Sequence, residues 1–224
     1  LTIATGHYLD AGSSHWDFNG SGSVFVETGT FLQDTSTVQF SGTSTMNILS
    51  TDYYNLIFNA AGSSPAYTAT GLGIQAFGDV RVGGASATIV TFDTNDSALN
   101  IDGDLTIASN GTFIASNSGS FTLEGSYENN GTYTASGGTL TFDGSGTETI
   151  AAGDSSFATT LLSGTGDYTV TEHATSTTAF TIGSSLSSFT LSSGQTLSVG
   201  GTFTNSLGGA ATTWTGSTLY LNGG

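Results

Sequence analysis

The stretch Gly131–Ile150, GTYTASGGTLTFDGSGTETI, decides the reading of this chain because it is written twice. An ungapped copy stands at Gly29–Ile48, GTFLQDTSTVQFSGTSTMNI, with seven of twenty positions identical. Tyr133/Phe31 and Leu140/Val38 exchange one apolar residue for another, which is what a packed unit copied along a chain retains. Leu140/Phe142 and Val38/Phe40 are apolar-x-apolar doublets, the period-two mark of a half-buried strand.

Working outward, the same doublet recurs at Leu1/Ile3, Trp16/Phe18, Leu56/Phe58 and Val80/Val82. It continues at Leu99/Ile101, Phe121/Leu123, Phe180/Ile182 and Leu219/Leu221. The usual spacing is roughly 15 to 24 residues, the length of one turn of a solenoid. Between doublets lie turn-formers such as Asn19-Gly20, Asn110-Gly111, Asn130-Gly131 and Asp143-Gly144, whose tolerance of positive φ lets a strand corner sharply. Lys, Arg, Glu, Gln and Met are scarce while Thr, Ser and Gly abound, so no helix is expected.

A longer period overlies the short one. Leu1-Thr-Ile-Ala4 matches Leu105-Thr-Ile-Ala108, Trp16–Gly20 falls on Phe121–Gly125, and the twenty-residue copies are offset by 102 positions. Near the end, Leu219–Gly223 replays Leu140–Gly144. The chain therefore divides into units at about 1–104 and 105–196, with a truncated third at 197–224. Two architectures fit: tandem β-sandwich domains of about 100 residues, or one continuous parallel β-helix. The rung-scale doublets favour the helix. No Pro-rich or charged linker interrupts the chain, whose single proline is Pro65. The expected fold is all-β, a right-handed parallel β-helix of about ten to eleven rungs and about 50 Å long at about 4.8 Å per rung. Phe40, Phe142 and Leu221, equivalent in three copies, are expected in its core. Glu148, which stands where the first copy has Met46, is expected to bend its strand or to be partly buried.

LSVGGTFTNS (Leu197–Ser206), YYNLIFNAAG (Tyr53–Gly62) and the repeated twenty-residue phrase resemble the repeats of very long bacterial surface proteins, the parallel β-helix stalks of adhesins and autotransporter passengers. The resemblance covers nearly the whole chain. It implies an extracellular, cell-surface setting and a structural role; no membrane-translocator barrel or binding head is recognisable.

Composition narrows the partners. The chain carries 17 acidic side chains against one basic residue, Arg81, for a net charge of -16. Such a field repels phosphate backbones and anionic lipid, which disfavours nucleic-acid binding and electrostatic membrane docking. Cysteine is absent, so stability rests on packing and hydrogen bonds. Lysine is absent too, which excludes a Lys–Asn isopeptide crosslink. No run of about eighteen apolar residues and no secretory leader pattern is visible. The chain opens on the strand-like Leu1-Thr-Ile3, as a trimmed fragment of something longer would. Each end is expected to meet further rungs, of the same polypeptide or of a neighbouring subunit end to end.

Several motifs point to chemistry and also have plainer readings. Gly71-Leu-Gly73-Ile-Gln-Ala76 spells a dinucleotide loop, but a strand-like stretch follows where a helix is required, so a turn is expected. Gly153-Asp154-Ser155 looks like an esterase nucleophile block without the strand-to-helix elbow it needs. His7, His15 and His173 lack metal-ligand spacing. Asp93, Asp96, Asp102 and Asp104 form the densest acidic cluster, with oxygens that could serve Ca²⁺; the other reading is a solvated acidic edge. Asn19, Asn95, Asn110 and Asn130 begin glycosylation sequons. Thr43/Thr45 and Thr147/Thr149 raise ice binding, which needs threonines stacked on every rung; as counted along the sequence they recur only once per long unit. The rival to a structural role is a carbohydrate-binding or carbohydrate-active β-helix, a polysaccharide hydrolase above all, recognisable by paired carboxylates in a groove. No catalytic or cofactor-binding set stands out, and the chain is not expected to be an enzyme.

Overall fold

A computed structural model describes residues 1–62 and 65–223. The chain coils into a β-solenoid whose strands stack in parallel, each on the strand one turn earlier. A typical turn has three sides: Ala66–Thr70, Gly73–Ala76 and Val80–Val82. On them lie the three strands of the next turn, Thr88–Thr91, Ala98–Ile101 and Leu105–Ile107. Stacking the sides gives a five-stranded sheet and two ten-stranded sheets, here the first (Asp52–Tyr53 to Thr218–Leu221) and the second (His15–Phe18 to Thr212–Thr213). Two short two-stranded sheets complete the first turns. Above Thr132–Thr134, where the five-stranded sheet stops, long strands Ser156–Leu162 and Ala174–Ile182 extend the first sheet across the vacated side. The ten stacked strands of the second sheet mark about ten turns, in line with the ten to eleven expected from the doublets. Tandem sandwiches, which need antiparallel sheets, are ruled out by parallel pairing throughout the described ladders. One turn of 3-10 helix, Gly209–Ala211, is the departure from an all-strand chain.

Alternation places the core. In the second sheet, Val38, Leu56, Val80 and Leu105 stand directly over one another and face inward. Tyr127, Ile150, Val170 and Leu191 continue the same column. Across the solenoid, Tyr53, Ala76, Ile101, Leu123, Phe142 and Leu162 form a second inward column. The two columns meet in one continuous apolar core. Each fully buried aliphatic or aromatic side chain contributes about 1.5–3 kcal/mol relative to exposure.

Phe40 and Phe142 are fully buried, but Leu221 is 55 % exposed, contrary to the expected equivalence of the three copies. It belongs to Thr218–Leu221, the last strand of the first sheet, so no further strand covers it. The two twenty-residue copies also occupy different sides. In the first copy, Thr37–Phe40 lies in the second sheet and Met46–Leu49 in the five-stranded sheet; in the other, Thr139–Phe142 lies in the first sheet and Thr147–Ala151 in the second. A turn of roughly 22 residues does not divide the 102-residue offset evenly, so the repeat returns rotated by one side. Only the in/out alternation survives the rotation. Glu148 shows the consequence: Met46 is fully buried, whereas Glu148 is half-buried and its Oε2 accepts the Ser126 hydroxyl at 2.9 Å.

The corner between the first and second sheets is a glycine column. Gly103 and Gly125 each donate a backbone N–H to the glycine one turn below, Gly78 and Gly103, at 3.2 and 3.1 Å. A Cβ on Gly144 would stand 1.8 Å from the Glu124 carbonyl oxygen, and one on Gly164 would stand 2.0 Å from that of Gly144. Side chains are excluded where backbone stacks directly on backbone.

Candidate functional site

An open polar groove lies at a corner of turns six to nine, lined by Asn130, Asp154, Glu172, His173 and Gln195. Its floor is built from the sequence stretch that suggested a nucleophile. Asp154 adopts a left-handed backbone (φ 60°) that turns the chain sharply and sends Ser155 inward. Ser155 is buried and donates its hydroxyl to the Ala152 carbonyl. Its Oγ accepts Asn129 Nδ2–H at 2.8 Å and lies 3.2 Å from the Tyr127 hydroxyl. A hydroxyl so enclosed, with no histidine among these partners, ties the corner together and cannot attack a substrate.

On the rim, Glu172 Oε2 accepts the Gly153 N–H at 2.7 Å, and His173 Nδ1 accepts the Thr196 N–H at 2.9 Å. Asp154, Glu172 and His173 are all exposed. Two carboxylates thus share the groove, but both stand in solvent, without the apolar enclosure that makes one of a pair a general acid. What the rim offers is hydrogen bonding to a polar ligand. Sequence reasoning missed the grouping because Asp154, Glu172 and Gln195 come from three successive turns, and roughly twenty-residue spacing within a corner is the signal that could have found it.

The four aspartates singled out from the sequence fall at two corners. Asp93 and Asp96 precede the strand Ala98–Ile101, and Asp102 and Asp104 follow it. That strand alone spans about 13 Å, too far for all four to share one ion. Each carboxylate also has partners. Asp93 accepts Asn117 Nδ2–H at 3.0 Å and Asp96 accepts the Ser116 hydroxyl at 3.2 Å. Asp102 accepts Gln75 Nε2–H at 2.8 Å, and Asp104 accepts the Ser126 N–H at 2.8 Å. Among the described residues no group of three or more His, Asp or Glu is placed to hold a metal ion.

Asp102 instead begins an acidic column, since Ile101, Leu123 and Phe142 stack and the residues after them are Asp102, Glu124 and Asp143. Loss of surrounding water pushes the Asp143 carboxyl above the usual carboxylate range, and the Asp102 charge adds to it. Glu124 is raised for the same reasons, desolvation first, then Asp102 and Asp143.

The remaining motifs resolve into architecture. Gly73–Ala76 is a strand, so Gly71-Leu-Gly73 is a turn with no helix N-terminus to hold a pyrophosphate. His7 and His15 are exposed on early turns, apart from His173. Of the four sequons, Asn110 has both ends of its amide occupied by the backbone of Gly84, at 2.9 and 2.8 Å. Among the described residues no helix is long and apolar enough to cross a membrane. Comparison with family models, with characterised proteins and with solved structures gives no match.

Proposed function

We propose that this chain is a rod segment in a secreted bacterial cell-surface fibre or adhesin stalk, whose work is mechanical reach. The observation that carries the reading is the unbroken inward column from Val38 to Leu191, one largely apolar residue on each of eight turns, which gives the molecule a continuous core along its axis. Each added turn extends such a body by about 4.8 Å without a new fold. The partners in this reading are further turns, of the same polypeptide or of a neighbouring subunit, added along the axis by strand pairing. The resemblance of LSVGGTFTNS and YYNLIFNAAG to surface-protein repeats supports the extracellular setting. Immunogold labelling of intact source cells with antibody to this chain tests the proposal. Label along thin surface fibres is expected, and label confined to the cytoplasm refutes it.

A further inference from the structure

Threonines that look scattered along the sequence are brought into two adjoining rows by the stacking. On the outward side of the first sheet, Thr139, Thr159, Ala179 and Thr202 lie in register on four successive turns. Two residues along the same strands, Thr141, Leu161, Thr181 and Thr204 form the second row; one turn below, Thr122 is in register but donates its hydroxyl to Asn100 and so ends the free array. The rows are about 6.6 Å apart along the strands, and successive members of a row are about 4.8 Å apart. The one register shift in these pairings falls between Phe157 and Thr159, just outside the array. Ala179 interrupts one row and Leu161 the other, but each of the four turns presents at least one outward threonine at the common repeat.

We propose that this face binds ice, through a two-dimensional lattice of threonine hydroxyl and methyl groups. Three features argue for an ordered water lattice as the occupant. First, the outward positions of the four strands carry no charge, whereas those of the second sheet include Asp17, Arg81, Glu128 and Asp167. Ions impose their own hydration geometry, while a hydroxyl both donates and accepts and can replace a lattice water. Second, among the described residues the hydroxyls of Thr139, Thr141, Thr159, Thr181, Thr202 and Thr204 make no hydrogen bond within the protein, so each is available to water. Third, the array is rigid. Each row is anchored by inward neighbours, Leu140, Leu162, Phe180 and Ile182, that are buried in the core. A β-branched side chain has little rotamer freedom to lose. Individually weak contacts held at a fixed repeat add up only against a partner that repeats too.

The test is partition of the whole chain into a slowly growing ice front, together with inhibition of ice recrystallisation. Enrichment in the ice of at least tenfold over a non-binding protein of similar size is expected. Thr181→Tyr and, separately, Thr159→Lys place bulk or charge at the centre of the array and are expected to reduce enrichment at least tenfold. Thr169→Tyr, in the second sheet, is expected to leave it unchanged. Far-UV circular dichroism and melting temperature verify that each variant is folded, and either central variant suffices if the other fails. Exclusion of the wild-type chain from ice, unchanged partition of a folded central variant, or equal loss in Thr169→Tyr would each overturn the proposal.

Discussion

Replacing Phe142 with alanine tests the core directly. The ring is fully buried and packs against Tyr127 and Tyr168, with centroids 6.3 and 6.2 Å away and planes at 87° and 71°. Its backbone is held between Leu123 below and Leu162 above by parallel ladders. Those ladders keep the turns about 4.8 Å apart, so the site cannot collapse to fill the cavity. Phe→Ala in a core costs about 3–5 kcal/mol, and loss of two edge-on ring contacts at an uncollapsible site places this case in the upper half of that range. Against a typical total stability of about 5–15 kcal/mol, the loss is about a quarter or more. Equilibrium urea unfolding followed by far-UV circular dichroism measures it. Trp16 lies in His15–Phe18, the first strand of the second sheet, and Trp214 directly follows Thr212–Thr213, its last, so single-tryptophan versions report the two ends separately. Coincident transitions in the wild type and separated ones in Phe142→Ala are expected, because each turn is coupled only to its neighbours. Leu221→Ala, at an exposed position, should change little. A loss below about 1 kcal/mol for Phe142→Ala, or an equal loss for Leu221→Ala, refutes the reasoning.

Gly144→Ala should destabilise by about 1–3 kcal/mol, because the new Cβ meets the Glu124 carbonyl at 1.8 Å, while Gly209→Ala, with nothing near, should be neutral in the same urea assay. At alkaline pH the buried phenols govern stability. Burial pushes Tyr67 and Tyr168 up to about 12, and lifts Tyr53, Tyr127 and Tyr133 further. Unfolded phenols ionise near pH 10, so above that the unfolded chain has lost protons that the folded chain still holds. The stability present below about pH 10 is therefore lost as pH rises through 12. Phenolate absorbance and loss of circular dichroism should rise together, and ionisation of all eight tyrosines near pH 10 with the fold intact would contradict this. Because Asp93, Asp96, Asp102 and Asp104 are split between two corners, millimolar Ca²⁺ should leave the melting temperature unchanged; an upward shift reversed by chelator would show that they converge on an ion after all.

The alternation of Leu140 and Phe142, Val38 and Phe40, and their counterparts along the chain was enough to establish strands, their inward faces and the number of turns. Those properties are local. A period of two decides which residues face the core whatever their neighbours do, and the spacing of the doublets counts the turns. The tertiary structure decided what depends on the phase of each turn. Turns vary in length around roughly 22 residues, so the side on which a strand lands is the accumulated sum of every corner before it. For that reason the copies at Gly29–Ile48 and Gly131–Ile150 share their buried positions yet sit on different sides, and Met46 is enclosed where Glu148 is not. For the same reason Asp154, Glu172 and Gln195 meet at one corner, Asp93 and Asp104 do not, and outward threonines from four turns fall into register as two rows, interrupted by Ala179 and Leu161.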